Sequence, residues 1–168
     1  ISIIKMNKFI DRGDIIVEKK FKIQKNYDIN KLHQIANKLF IKHIPIAIDS
    51  ILNGVKLKKQ NHKKAKYFSQ RTENDGIINW NKMSSLKIYN LIRALRDPYP
   101  GAFTYYGGKK IKFSKSKIIK SNIKLKPGQF FKKNKLIFIK CKSGLIKILK
   151  YKGVLPTTGK FNDHISKK

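Results

Sequence analysis

Cysteine is nearly absent: the chain of 168 residues holds one, Cys141, beside one tryptophan, five prolines and only nine acidic residues. One cysteine excludes an internal disulfide and any cysteine metal cluster. Cys141 sits in the alternating run LIFIKCKSGLIKIL, where a thiol reads as a small buried hydrophobe. Long apolar runs are missing as well. The longest extend over about four or five residues, as in Leu136 to Ile139, far below the ~20 needed to span a bilayer. No secretory leader pattern is visible, so no membrane insertion is expected and the expected compartment is cytoplasmic. Histidines are sparse, and His33 and His43 are too far apart for a metal pair on one helical turn, so no metal site is expected.

What the chain does have is lysine. The formal net charge is +31, which would draw any polyanion in a salt-dependent way. Two features weaken a nucleic-acid reading. Arginine, the preferred bidentate reader of phosphates and bases, occurs only at Arg12, Arg71, Arg93 and Arg96. The lysines are also scattered along the whole chain, and abundant Lys, Ile and Asn together are what an AT-rich coding sequence yields. No zinc-finger spacing or RNA-recognition signature accompanies them. The 40% of hydrophobic residues, with 11% aromatic, suffices for a folded core.

Periodicity organises the chain. Ile1 to Met6 and Asp14 to Ile23 read as strands around a loop at 7–13. Asp28 is placed to cap a helix carrying Leu32, Ile35, Ala36, Leu39, Phe40, Ala47, Ile51 and Leu52 on one face, with Pro45 expected to kink or interrupt it. KLKKQNHKKAK, 56–66, reads as a basic connector, which predicts units at 1–66 and 67–168. Beyond it Asp75-Gly76 makes a turn, and Ser84 can cap a further helix that must end before Pro98. From Ala102 the pattern changes to short strands: AFTYY, KKIKFSK, IIKSNIKL, KLIFIKCK and LIKILKYKG, spaced by glycine turns. That spacing predicts a small β-barrel. The tail from Val154 has little apolar content and is expected to fray. The chain opens inside a strand-like run without an initiating Met, which reads as a piece of a longer protein.

Three segments then carry a resemblance: SIIKMNKFIDRGDII at the start, DGIINW followed by IYNLIRAL, and DPYPGAFTYYGGKKIKF. In that order and spacing they resemble the formyltransferases that use 10-formyltetrahydrofolate, a group including methionyl-tRNA formyltransferases and sugar-nucleotide formyltransferases. The resemblance runs from about residue 2 to 150. It implies the C-terminal portion of an open, Rossmann-like α/β catalytic domain, then a helix and a small OB-like β-barrel. It also implies formyl transfer from N10 of the folate to a primary amine.

By resemblance, Asp11 of DRGD is the family's catalytic aspartate, orienting a histidine and stabilising its cation. The backbone at Lys8, Phe9 and Ile10 matches the loop lining the pterin pocket. Read from the residues alone, Asp11 is a turn aspartate before Gly13. The family's Asn-x-His segment has no counterpart, and His33, His43, His62 and His164 all lie outside the matching position, so this chain by itself is expected to be inactive. For the acceptor, QRTENDG resembles the Arg-Thr-x-x-Asp-Gly form of the sugar-nucleotide branch, implying an amino-sugar nucleotide. Initiator methionyl-tRNA is the alternative, since a basic barrel suits tRNA. A further reading from another class is a non-catalytic RNA-binding module, with Tyr99, Phe103, Tyr105 and Tyr106 as stacking rings.

Overall fold

The apolar periodicities become two units in the computed structural model, which describes residues 1–161: one spans Ile1–Gln70 and the other begins at Arg71. In the first, β1 (Ser2–Ile4) pairs antiparallel with β2 (Ile15–Glu18). Both strands are shorter than their apolar runs. Beyond the Ser2–Glu18 pair, Ile1 and Lys19 exchange backbone bonds at 2.8 and 3.0 Å. Helix α1 (Ile29–Leu52) begins where Asp28 accepts the Lys31 N–H at 3.0 Å. Of the kink or interruption expected at Pro45, the interruption does not occur: α1 runs through Pro45 to Leu52. Proline removes one donor from the ladder, and the rungs on either side carry the helix past it. His43 is buried on α1, its Nδ1 2.7 Å from the Leu39 carbonyl oxygen, as a satisfied histidine should be.

The second unit opens with a 3-10 turn at Glu73–Gly76, followed by α2 (Ser85–Ala94), whose Ser84 cap accepts the Lys87 N–H at 3.2 Å. Six strands follow: β3 (Ala102–Tyr106), β4 (Lys109–Ile119), β5 (Gln129–Lys133), β6 (Leu136–Lys140), β7 (Leu145–Lys152) and β8 (Thr158–Lys160). They form one antiparallel sheet in the order β3-β4-β7-β6-β5-β8. The sheet curls into a half-barrel. Tyr106 at one edge packs its ring 5.6 Å from Phe130 and 6.0 Å from Phe161, which belong to the far side of the strand order. Side chains, rather than a ladder, bring the two edges together.

Three readings of the strands need correcting. IIKSNIKL is not a strand of its own: β4 continues through Ile119 across a bulge near Lys115, and the chain then leaves the sheet. QFFKK, which was not read as a strand, is β5; it turns into β6 through Asn134-Lys135, both at positive φ (50° and 62°). A two-residue hairpin turn of that shape usually advertises itself with glycine, and here it does not. The tail does not fray at its start. Leu155 and Phe161 are buried, β8 pairs with β5, and Phe161 N–H donates to the Gly128 carbonyl at 3.0 Å. His164 lies outside the described residues.

The core of this unit is aromatic. Trp80 is fully buried, stacked at 5.4 Å on Phe161 and edge-on at 6.0 Å to Phe113. Its indole N–H donates to the Thr104 hydroxyl at 3.1 Å, which removes the cost of burying that donor. Cys141 is buried beside β6, and burial pushes its thiol up to about 12.

Candidate active site

The loop between β1 and β2 is pinched shut by the Lys5 N–H donating to the Asp14 carbonyl at 2.9 Å. Gly13 makes that closure possible: a Cβ there would stand 1.8 Å from the Lys5 carbonyl oxygen. Inside the loop Asn7 serves as a bracket. Its Oδ1 accepts the Phe9 N–H at 2.9 Å and its Nδ2 donates to the Arg12 carbonyl at 3.3 Å. Asp11, at the turn, adopts φ of 55°, a left-handed conformation that Asp and Asn tolerate better than most side chains.

The connector forms the other wall. Ile15 and Lys58 exchange backbone bonds at 2.8 and 3.1 Å, extending the pairing of β2. Lys58 Nζ lies 3.1 Å from Glu18, and this hydrogen-bonded cation holds the Glu18 carboxyl below its usual range. Gln60 Nε2 donates to the carbonyls of both Asp11 (2.9 Å) and Gly13 (2.6 Å). Arg12 Nη2 donates to the Tyr67 hydroxyl at 2.7 Å. Between loop and connector lies a cleft of about 560 Å³, with Ile10, Asp11 and Arg12 on one side and His62, Lys64 and Tyr67 among the residues on the other. Asp11 contributes the one carboxylate of its lining, against Arg12, Lys64 and Lys66.

Of the residues singled out from the sequence, Ile10 and Asp11 line this cleft, while Lys8 and Phe9 stand on the same loop outside its lining. Phe9 is 53% exposed, with Lys8 Nζ 5.3 Å and Arg12 Cζ 5.7 Å from its ring centroid. Gln60, His62 and Tyr67 were not anticipated as parts of the site. Nothing in the spacing could have found them, because they come to the same cleft as Asp11 from about fifty residues away through the tertiary fold. Among the described residues no group of three or more His, Cys, Asp or Glu could hold a metal ion. No helix among them is long and apolar enough to cross a membrane.

The DGIINW and PGAFTYY segments do different work. A Cβ on Gly76 would stand 2.5 Å from the Gly101 carbonyl oxygen, so glycine lets the two segments touch. Ile78 N–H then donates to the Phe103 carbonyl at 2.8 Å, and Trp80 reaches Thr104. The Asp75 carboxylate accepts the Thr72 N–H at 2.7 Å and closes the preceding turn. The Glu73 carboxyl, bonded to Lys110, is held below its usual range by that cation. These residues lock the entry segment onto β3; they are structural.

Comparison with known proteins bears on both regions. A family model described as the formyl transferase C-terminal domain matches residues 71–154. The chain is 36% identical over 149 residues to the bifunctional polymyxin resistance protein ArnA of Wigglesworthia glossinidia brevipalpis, covering 86% of this chain and 22% of that protein. It is 34% identical over 151 residues to the methionyl-tRNA formyltransferase of Caldicellulosiruptor saccharolyticus, covering 88% of this chain and 48% of the relative. Among solved structures, the N-formyltransferase of Helicobacter canadensis, crystallised with folinic acid and dTDP-3-aminofucose, superposes with a TM-score of 0.65 at 25% identity, covering 90% of this chain and 55% of that one. The chain thus spans half or less of the length of the two curated relatives named.

Proposed function

The chain belongs to the formyl transferase C-terminal domain family, and we infer that the complete protein moves a formyl group from 10-formyltetrahydrofolate to the primary amine of an amino-sugar nucleotide. The family match over residues 71–154 is the observation that carries the reaction class. In this reading residues 1–66 close an open α/β catalytic domain and 67–168 form its OB-like partner. The reaction joins the neutral amine nitrogen to the formyl carbon and breaks the bond from that carbon to N10, which takes up the proton the amine loses. Asp11 supplies a fixed negative charge in the cleft that orients and stabilises a histidine cation during proton movement. The exposed, apolar Phe9 and Ile10 suit a loop on which the flat pterin rests, with the backbone at Lys8 to Ile10 making the contacts.

Arg71-Thr72-x-x-Asp75-Gly76 favours the amino-sugar nucleotide, and the similarity to an N-formyltransferase crystallised with dTDP-3-aminofucose supports it. The second reading, initiator methionyl-tRNA as acceptor, draws on the similarity to methionyl-tRNA formyltransferases. The non-catalytic RNA module has less support, because Phe103 is buried and Tyr106 is packed against Phe130 and Phe161 rather than offered for stacking. The complete protein should formylate an amino-sugar nucleotide in preference to initiator methionyl-tRNA. Asp11→Asn should lower turnover by a factor on the order of 10²–10⁴ with the fold intact. Formylation of tRNA alone would reassign the acceptor, and wild-type turnover by Asp11→Asn would remove Asp11 from the chemistry.

A further inference from the structure

We propose that Gln60 is a positioning residue that holds Asp11 in its working conformation. Its side chain crosses from the connector to the β1–β2 loop and spends both amide hydrogens on that loop, one on the Asp11 carbonyl and one on the Gly13 carbonyl. The two acceptors belong to the Asp11–Arg12 and Gly13–Asp14 peptide groups, so the carboxamide ties together the two ends of the Arg12-Gly13 step. Asp11 needs such a brace. At φ of 55° it sits in a region that L residues other than glycine occupy at a cost, and its side chain is exposed. Gln60 itself is half-buried and anchored two residues after the Ile15–Lys58 backbone pair, so its reach to the loop is set by a rigid element. The proton-donating end must face the loop, because both partners are carbonyl oxygens and only the amide nitrogen can satisfy them.

This rests on Asp11 acting in formyl transfer, and two substitutions separate the clamp from that reading. Gln60→Glu keeps the shape of the side chain but replaces both donors with a carboxylate facing two carbonyl oxygens. Gln60→Lys changes the shape but restores donors. The backbone chemical shifts of Asp11, which report φ, should move in Gln60→Glu and return toward wild type in Gln60→Lys. In the complete protein Gln60→Glu should lower kcat about 10²-fold with little change in the KM for the amine, since a displaced group costs rate more than binding. Gln60→Lys should recover most of that loss. Unchanged Asp11 shifts in Gln60→Glu would overturn the clamp, whatever happens to turnover. So would a Gln60→Lys variant as impaired as Gln60→Glu. Wild-type turnover in Asp11→Asn, with the Asp11 shifts still disturbed by Gln60→Glu, would instead remove the catalytic reading and leave the clamp in place.

Discussion

The two units of this chain are held by different forces. From Arg71 onward, Trp80, Ile88, Ile92, Phe113, Phe130, Ile137, Ile146 and Phe161 are all essentially out of reach of solvent, in one cluster. In Ile1–Gln70, Ala47 is the only hydrophobic residue among those described to be buried as deeply. There α1 presents Ile41, Ile44, Ile48 and Leu52 to the outside. The first unit is organised instead by directional contacts: the Asn7 bracket, the Gln60 bridge, the Arg12–Tyr67 bond and the Ile15–Lys58 pair. A core tolerates small shifts of its members but not the loss of their volume. A polar strut tolerates loss of volume but not loss of a donor. The candidate site lies in the strut-built unit, where geometry is set atom by atom.

The largest expected difference comes from emptying the core. Trp80→Ala should cost about 3–5 kcal/mol, since it removes a fully buried ring and leaves Thr104 without its donor. Ile44→Ala, on the open face of α1, should stay within about 0.5 kcal/mol. Denaturant unfolding of the two variants measures the contrast, and equal losses would break it.

An intermediate effect should appear with pH. The folded state keeps the Cys141 proton up to about 12, while the unfolded thiol, with an ordinary value of 9.0, releases it earlier. The stability tied to this group is therefore complete below pH 9.0 and declines as pH rises toward 12. Cys141→Ala should flatten that part of the stability profile relative to wild type. Below pH 8 a thiol reagent should label Cys141 only on unfolding, so rapid labelling of the native chain would contradict its burial.

The smallest effect belongs to the surface pair Glu73–Lys110. Because its carboxyl titrates below the usual 4.5, the contribution is present above that value and is lost as pH falls through the lowered one. Glu73→Gln should change stability least of the three, and added salt should erase what change there is. A salt-independent loss would mean that the pair shapes the Glu73–Gly76 turn rather than merely decorating it.

Much of the second unit was legible because its signals are local. Ser84 caps α2 and the Gly107-Gly108 turn joins β3 to β4, both readable within a few residues. The hairpin at Asn134-Lys135 was not legible, because Asn134 suits positive φ but the second turn position, where glycine is the usual signal, holds Lys135. The burial of Phe161 was equally hidden, since one aromatic in a polar tail becomes core only when a curled sheet closes over it. At the candidate site the sequence singled out Asp11 through a motif, but the partners that shape its surroundings were unreadable.

The sequence by itself determined where most of the helices and strands could form, where Gly13 and Asp75-Gly76 mark turns, and which family the second unit joins. Those follow from period, sterics and motif, all properties of residues near one another in the chain. Only the tertiary structure decided that KLKKQNHKKAK is a wall of a cleft as well as a link, and that Gln60 faces Asp11. The physical reason is that a hydrogen bond is specified by position and direction in space, and across 49 residues of chain neither is encoded in any local pattern.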